Sequence, residues 1–255
     1  MRIDGVFCGS AAVAAGVVSR GQLRGPQAKR LFRDIYVPAR TRVTHELRCE
    51  AASLALPCGA VITGRSSATV RGVRLAWPDD DVQILAPPEM RLGRRTGLDV
   101  RRSVIEPGDA EPWSHGLLAS PMRLTLDVLL GRPLPDAVAD LDALLRAGLV
   151  DRAAVETMVV RRSDNGIVTA RRAVQLADPR AEQIPESKLR VILALAGLTP
   201  VPQFWIEDRT GRLACVDLAF PDHKLAVEYD GDWRDGERWA LNRDRDRLNR
   251  VHAIG

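Results

Sequence analysis

The feature of this 255-residue chain that most limits its fold is a pair of alternating runs near the C-terminal end, residues 213–220 and 225–229, separated by Pro221-Asp222-His223-Lys224. Each run switches between large apolar and small or polar residues at every step, which is the period of a strand with one face on a core. A short Pro-Asp segment between two such runs reads as the turn of an antiparallel hairpin. With the turn centred between Asp222 and His223, Asp217 stands directly opposite Glu228. Val216, Leu218 and Phe220 then join Leu225, Val227 and Tyr229 on one apolar face, while Cys215, Asp217, Ala219, Ala226, Glu228 and Asp230 share the other. Directly opposed side chains have Cβ atoms about 5 Å apart, and two carboxylates that close repel unless a proton or a cation lies between them. Mg²⁺ suits such a place, since it takes one or two carboxylates together with waters and phosphate oxygens. The small Ala219 and Ala226 leave room for a ligand. The plain alternative is that these acids form the solvent face of a two-sided hairpin.

Upstream of the hairpin, Asp178-Pro179 closes one helix and Pro185 suits the first turn of another, which Gly197 ends. Leu189, Ile192, Leu193 and Ala196 fall on one side of this second helix and are expected to be its buried face. Glu186 lies in its first turn. Residues 202–207 then read as a further strand, followed by the turn Asp208-Arg209-Thr210-Gly211.

The segments ESKLR, VPQF and VDLAFPDHKLAVEYDGDW, with the RDRDRLNR helix after them, together resemble the very-short-patch-repair-like branch of the PD-(D/E)XK, or restriction-endonuclease-like, superfamily. The resemblance covers residues 186–255. It implies Mg²⁺- or Mn²⁺-dependent hydrolysis of DNA, with Asp217 as the strand acid, Glu228 and Asp230 as the acidic corner and Glu186 as the helix acid. Asp217 and Glu228 would bind the metal, and Arg234 would contact phosphate. The chain departs from the superfamily pattern in three ways. Asp230 stands where E-x-K would place Lys, Arg234 stands where relatives commonly carry His, and the sequence stops at Ile254-Gly255, short of the strand and helix that complete the family's sheet. Arg cannot serve as a general base, so a non-catalytic, truncated or decayed nuclease fold is the alternative.

The N-terminal segment has a different character. Its first 50 residues hold nine basic side chains against four acidic ones, the excess that phosphate contacts require. Ser10 is expected to cap a helix running to Val18, Ser19 a second starting near Gln22, and residues 32–37 alternate as a strand before Pro38. The run GSAAVAAGVVSRGQLRGPQAKRLFRDIYVPA resembles the N-terminal winged-helix region of AbiEi-type antitoxins. That resemblance implies DNA binding, for which Arg24, Lys29, Arg30 and Arg33 are the candidate phosphate contacts. A solvated helical face is the alternative for the same charges.

Between these ends, residues 44–56, 121–130 and 135–147 read as helices, and 81–85 and 98–104 as strands. His45 and His115 are isolated, and a lone His is more often structural than catalytic. The Gly64-Arg65-Ser66-Ser67-Ala68 turn lacks the Lys and Gly spacing of a phosphate-binding loop and is read as structural. Packing or binding of a partner protein is the expected work of this segment. The expected organisation is therefore mixed α/β: a winged-helix-like unit over 1–45, a mixed middle domain over 46–178 and a restriction-endonuclease-like domain over 179–255. The two functions in play are a Mg²⁺-dependent DNA endonuclease and a non-catalytic DNA-binding regulator or antitoxin-like protein. Cys8, Cys49, Cys58 and Cys215 are scattered without ligand spacing, so no zinc site or disulfide framework is expected and a reducing cytoplasm fits. The apolar run 6–18 lacks the leader and cleavage site of a signal peptide, and no run approaches the length of a membrane span.

Overall fold

A computed structural model describes residues 4–93, 95–208 and 211–229, and the chain divides into two units, Met1–Val128 and Leu129–Gly255. The class is mixed α/β, as expected.

The first unit opens with strand β1 (Phe7–Cys8), helices α1 (Gly9–Ala14) and α2 (Arg20–Arg24), and strands β2 (Ala28–Phe32) and β3 (Ile35–Pro38). β3 lies between β1 and β2 and runs antiparallel to both. Ser19 starts α2 through a capping box, its hydroxyl accepting the Gln22 N–H while Gln22 Oε1 accepts the Ser19 N–H. α1 differs from expectation: it stops at Ala14, and Cys8, not Ser10, is its first flanking residue. Asp34 holds this helix start from outside, accepting the Ser10 N–H at 2.9 Å and its hydroxyl at 2.5 Å. The run 32–37 is also not one strand. Arg33-Asp34 is a two-residue turn, with Asp34 at φ +63°, a conformation that Asp tolerates better than most residues. Phe32 pairs with Ile35 across that turn, so the apolar alternation passes through it unbroken and hides it from a periodicity argument.

Helix α3 (His45–Ala55) follows, with Thr44 accepting the Leu47 N–H as its cap. Then come β4 (Val61–Ile62), α4 (Gly64–Val70), β5 (Val82–Ala86), β6 (Leu98–Arg102), β7 (Ala110–Trp113), β8 (Gly116–Ala119) and α5 (Pro121–Leu129). The five strands form one mixed sheet in the order β6-β5-β4-β8-β7, with β4–β8 and β5–β6 parallel. Phe32 and Ile35 of the N-terminal hairpin share a core with Cys49, Ala51 and Ala52 of α3 and with Ile62 and Ile84 of the sheet. The sequence-based boundary at residue 45 therefore runs through one continuous core, and the division the structure makes lies at 128/129, inside the expected middle domain.

Both histidines considered in the sequence have plain settings. His45 is 1% exposed. Its Nδ1 meets the Trp77 carbonyl at 2.9 Å, so Nδ1 carries the proton, and Nε2 accepts the Ser66 hydroxyl at 2.8 Å. Burial holds His45 below its ordinary pKa, in keeping with a neutral ring. His115 is exposed. At the Gly64 turn the Arg65 N–H already donates to Gln83 Oε1 at 2.7 Å.

The second unit begins with three helices, α6 (Leu134–Arg146), α7 (Arg152–Val160) and α8 (Ile167–Leu176). α6 ends where Gly148, at φ +65°, takes the left-handed turn that stops a helix. A fourth helix, α9 (Ile184–Leu195), packs on α6, and strands β9 (Val201–Asp208), β10 (Gly211–Phe220) and β11 (Leu225–Val227) form an antiparallel sheet in the order β11-β10-β9. The buried residues of α9 are Glu186, Ser187, Arg190 and Val191, while Ile192 and Leu195 are each 54% exposed. The expected apolar face is thus not the one α9 buries. The reason is Asp142 on α6, fully buried, which accepts the Ser187 hydroxyl at 2.7 Å, Arg190 Nη2 at 2.8 Å and the Asp178 N–H at 2.6 Å. Among the described residues no helix is long and apolar enough to cross a membrane.

Candidate active site

Glu186 sits in the first turn of α9 and is 1% exposed. Two features of the sequence put it there. Pro185 fixes the backbone of the helix start, and the polar stripe of Ser187 and Arg190, with Lys188 reaching Asp136 at 2.5 Å, ties α9 to α6. The Glu186 carboxylate accepts the Glu182 N–H at 2.9 Å and Gln203 Nε2 at 3.3 Å, both through Oε2. Its pKa lies above the ordinary value: burial is the main cause, and the negative charge of Asp217 adds to it, against the hydrogen bonds that favour the ionised form.

The hairpin has the expected register. Leu218 pairs with Val227, Ala219 with Ala226 and Phe220 with Leu225. The connection is a single 3₁₀ turn at Pro221–His223, closed by Lys224 at φ +50°. β11 ends at Val227, two residues earlier than expected, and the Tyr229 N–H turns onto Asp217 Oδ2 at 2.8 Å. Leu218–Val227 is the last pair of this ladder, and Glu228 follows it in the chain. Val216 and Leu218 are buried on the other face, 3% and 1% exposed.

Strand β9 adds a residue that the sequence pattern does not single out. Gln203 has φ +50° in the middle of the strand, although the pairing on either side, Phe204 with Val216 and Pro202 with Leu218, keeps the same register. No extra residue is being accommodated at Gln203. Its Oε1 accepts the Cys215 thiol at 3.3 Å while Nε2 donates to Glu186. Non-glycine residues in this conformation are uncommon and concentrate at functional sites. Nothing in the alternation of β9 signals it.

Glu186 and Asp217 are thus close enough for their charges to interact, and Glu228 follows the last strand pair in the chain. Asp230 and Arg234 lie outside the described residues. Carboxylate oxygens are the donors Mg²⁺ prefers, so the chemistry of Asp217 and Glu228 fits that ion. Among the described residues, however, no group of three or more His, Cys, Asp or Glu side chains is placed to hold a metal ion. In the first unit Arg24, at the end of α2, Lys29 and Arg30 on β2, and Arg33 in the hairpin turn are all exposed. They lie on one continuous stretch of helix and hairpin and are not part of the acidic site.

No known family profile matches the chain. Two curated proteins of Mycobacterium tuberculosis are similar to it, Uncharacterized protein MT2308 of strain CDC 1551 / Oshkosh and Uncharacterized protein Rv2248 of strain H37Rv. Each is 34% identical over 172 residues, which is 66% of this chain and 62% of the relative. The match therefore spans less than two thirds of the length of these relatives. Among solved structures, the RV2827C protein of Mycobacterium tuberculosis superposes with a TM-score of 0.44 at 16% identity, covering 72% of this chain and 75% of that one.

Proposed function

We propose that the second unit is a Mg²⁺- or Mn²⁺-dependent DNA endonuclease that hydrolyses phosphodiester bonds. The observation that supports this reading is the buried Glu186 carboxyl, held above its ordinary pKa by burial and by the negative charge of Asp217, next to a hairpin whose last pair, Leu218–Val227, leads toward Asp217 and Glu228. Asp217 and Glu228 would hold the cation. When bound, the ion would lower the pKa of a water and offset charge on the phosphate. Glu186 holds its proton to higher pH than an ordinary Glu and its Oε2 is held by Gln203; its carboxyl would orient a water beside the cation. Asp230 would assist and Arg234 would hold phosphate, as the family resemblance implies. Asp217→Ala and Glu228→Ala are each expected to abolish metal-dependent plasmid cleavage while the protein stays folded, with the melting temperature of Asp217→Ala near wild type because the lost Tyr229 N–H bond offsets the relief of carboxylate repulsion. Unchanged cleavage by both variants refutes the assignment.

A second reading is a non-catalytic DNA-binding regulator, and the exposure of Arg24, Lys29, Arg30 and Arg33 favours it. In that case neutralising the four weakens DNA binding and reduces the salt slope by about 0.9 for each phosphate whose charge is no longer offset. An unchanged slope rules this stretch out as the DNA-binding surface.

A further inference from the structure

We propose that the acid-bearing face of the β9–β10 pair accepts an unpaired nucleotide, its base laid on Trp205 and its phosphate on Arg212, beside Asp217. The position next to Asp217 rests on the nuclease reading; the platform itself does not. Trp205 pairs with Cys215 across the ladder, so its indole projects to the face that also carries Asp217. Simple alternation would turn Arg212 away from that face. The register shift between Arg212 and Ala214 instead sets Arg212 against Glu207, on the same side as Trp205. The guanidinium lies 4.9 Å from the centroid of the indole ring. Both groups stay open to solvent, Trp205 at 45% exposure and the Arg212 side chain at 65%.

An open indole with a cation at its face is the combination that holds single-stranded nucleic acid: a π-surface for a base and a positive charge for the adjoining phosphate. Glu207 meets Arg212 at 3.6 Å with both side chains in water, an ion pair too weak to withhold the guanidinium from a phosphate. Cys215 and Asp217 are two strand positions apart, about 7 Å, or roughly two stacked bases at 3.4 Å each. Along the ladder Arg212 and Asp217 lie on opposite sides of the Trp205–Cys215 pair, so a nucleotide stacked on Trp205 with one phosphate on Arg212 directs the strand's next phosphate toward Asp217. Bases inside a duplex cannot offer a face to the indole, so the substrate class this surface selects is single-stranded or frayed DNA.

The test is fluorescence anisotropy of labelled oligothymidylate, and of a duplex of the same length, with the full chain in EDTA, where no cleavage occurs. Trp205→Leu is expected to weaken single-strand binding about tenfold, the loss of one stacked base, and to leave duplex binding unchanged. Trp205→Phe restores most of the loss, and Arg212→Gln reproduces part of it with a shallower salt dependence. Single-strand affinity unchanged in Trp205→Leu, or lost equally in Trp205→Leu and Trp205→Phe at unchanged melting temperature, overturns the proposal. Cleavage of the same oligothymidylate and of plasmid on adding Mn²⁺ is scored separately: absence of both with the platform intact refutes the nuclease reading alone.

Discussion

Removing Asp142 should unfold the second unit at a much lower temperature, because this one carboxylate satisfies three donors in the interior. It accepts the Ser187 hydroxyl at 2.7 Å, Arg190 Nη2 at 2.8 Å and the Asp178 N–H at 2.6 Å, and its side chain is fully buried. Asp142→Ala leaves the Arg190 guanidinium, 8% exposed, without its counter-charge. Breaking a buried pair from one side costs about 3–5 kcal/mol, and at about 3–5 °C for each kcal/mol in a unit of this size the melting temperature falls by roughly 9–25 °C. Circular dichroism melts of wild type, Asp142→Ala and the double variant Asp142→Ala/Arg190→Met measure it, with the double variant recovering part of the loss because no charge is stranded. The contrasting control is Arg40→Ala, whose partner Asp4 and own side chain are 93% and 81% exposed, and which should melt as wild type does. An Asp142→Ala melt within about 3 °C of wild type, less than ~1 kcal/mol, would refute the view that this network seats α9.

Two further outcomes follow from the site. Glu186 titrates above its ordinary value of 4.5 because it is buried and faces Asp217, so the stability tied to its protonated form is full below pH 4.5 and is lost as pH rises through the raised value. Glu186→Gln should therefore melt higher than wild type at pH 7 and lose part of the decline above pH 4.5, whereas a lower melt at pH 7 contradicts the assigned direction. Gln203→Gly relieves a left-handed backbone worth about 1 kcal/mol and gives up hydrogen bonds of about that size, so its melting temperature should stay near wild type while metal-dependent cleavage falls; an equal fall in both would make Gln203 structural only.

The hairpin was legible because its register depends on a turn with strong local chemistry and on strict alternation, so pairing Leu218 with Val227 and Phe220 with Leu225 required only Pro221, Asp222 and the period of two. Glu186 was legible as a first-turn residue because Pro185 marks the helix start. The orientation of α9 was not. Hydrophobic periodicity favoured Leu189, Ile192 and Leu193, whereas the helix turns Ser187 and Arg190 inward to a carboxylate 45 and 48 positions away in sequence, a long-range pairing that no local window contains. The Arg33-Asp34 turn is hidden for the opposite reason, since Phe32 and Ile35 pair across it and keep the alternation intact. Gln203 carries no local signal at all; its side-chain partners are Cys215 of β10 and Glu186 of α9. The closeness of Arg212 to Trp205 depends on a register shift that only the paired strand reveals.

The most direct test of the central claim is calorimetric titration of Mg²⁺ and Mn²⁺ into the 255-residue protein and its Asp217→Ala variant, with plasmid added to the same samples. Saturable metal binding in wild type, abolished in Asp217→Ala together with plasmid nicking, is the result expected of a metal held by Asp217 and Glu228. A well-folded wild type that binds neither ion, or a variant that binds and nicks as wild type does, would contradict it.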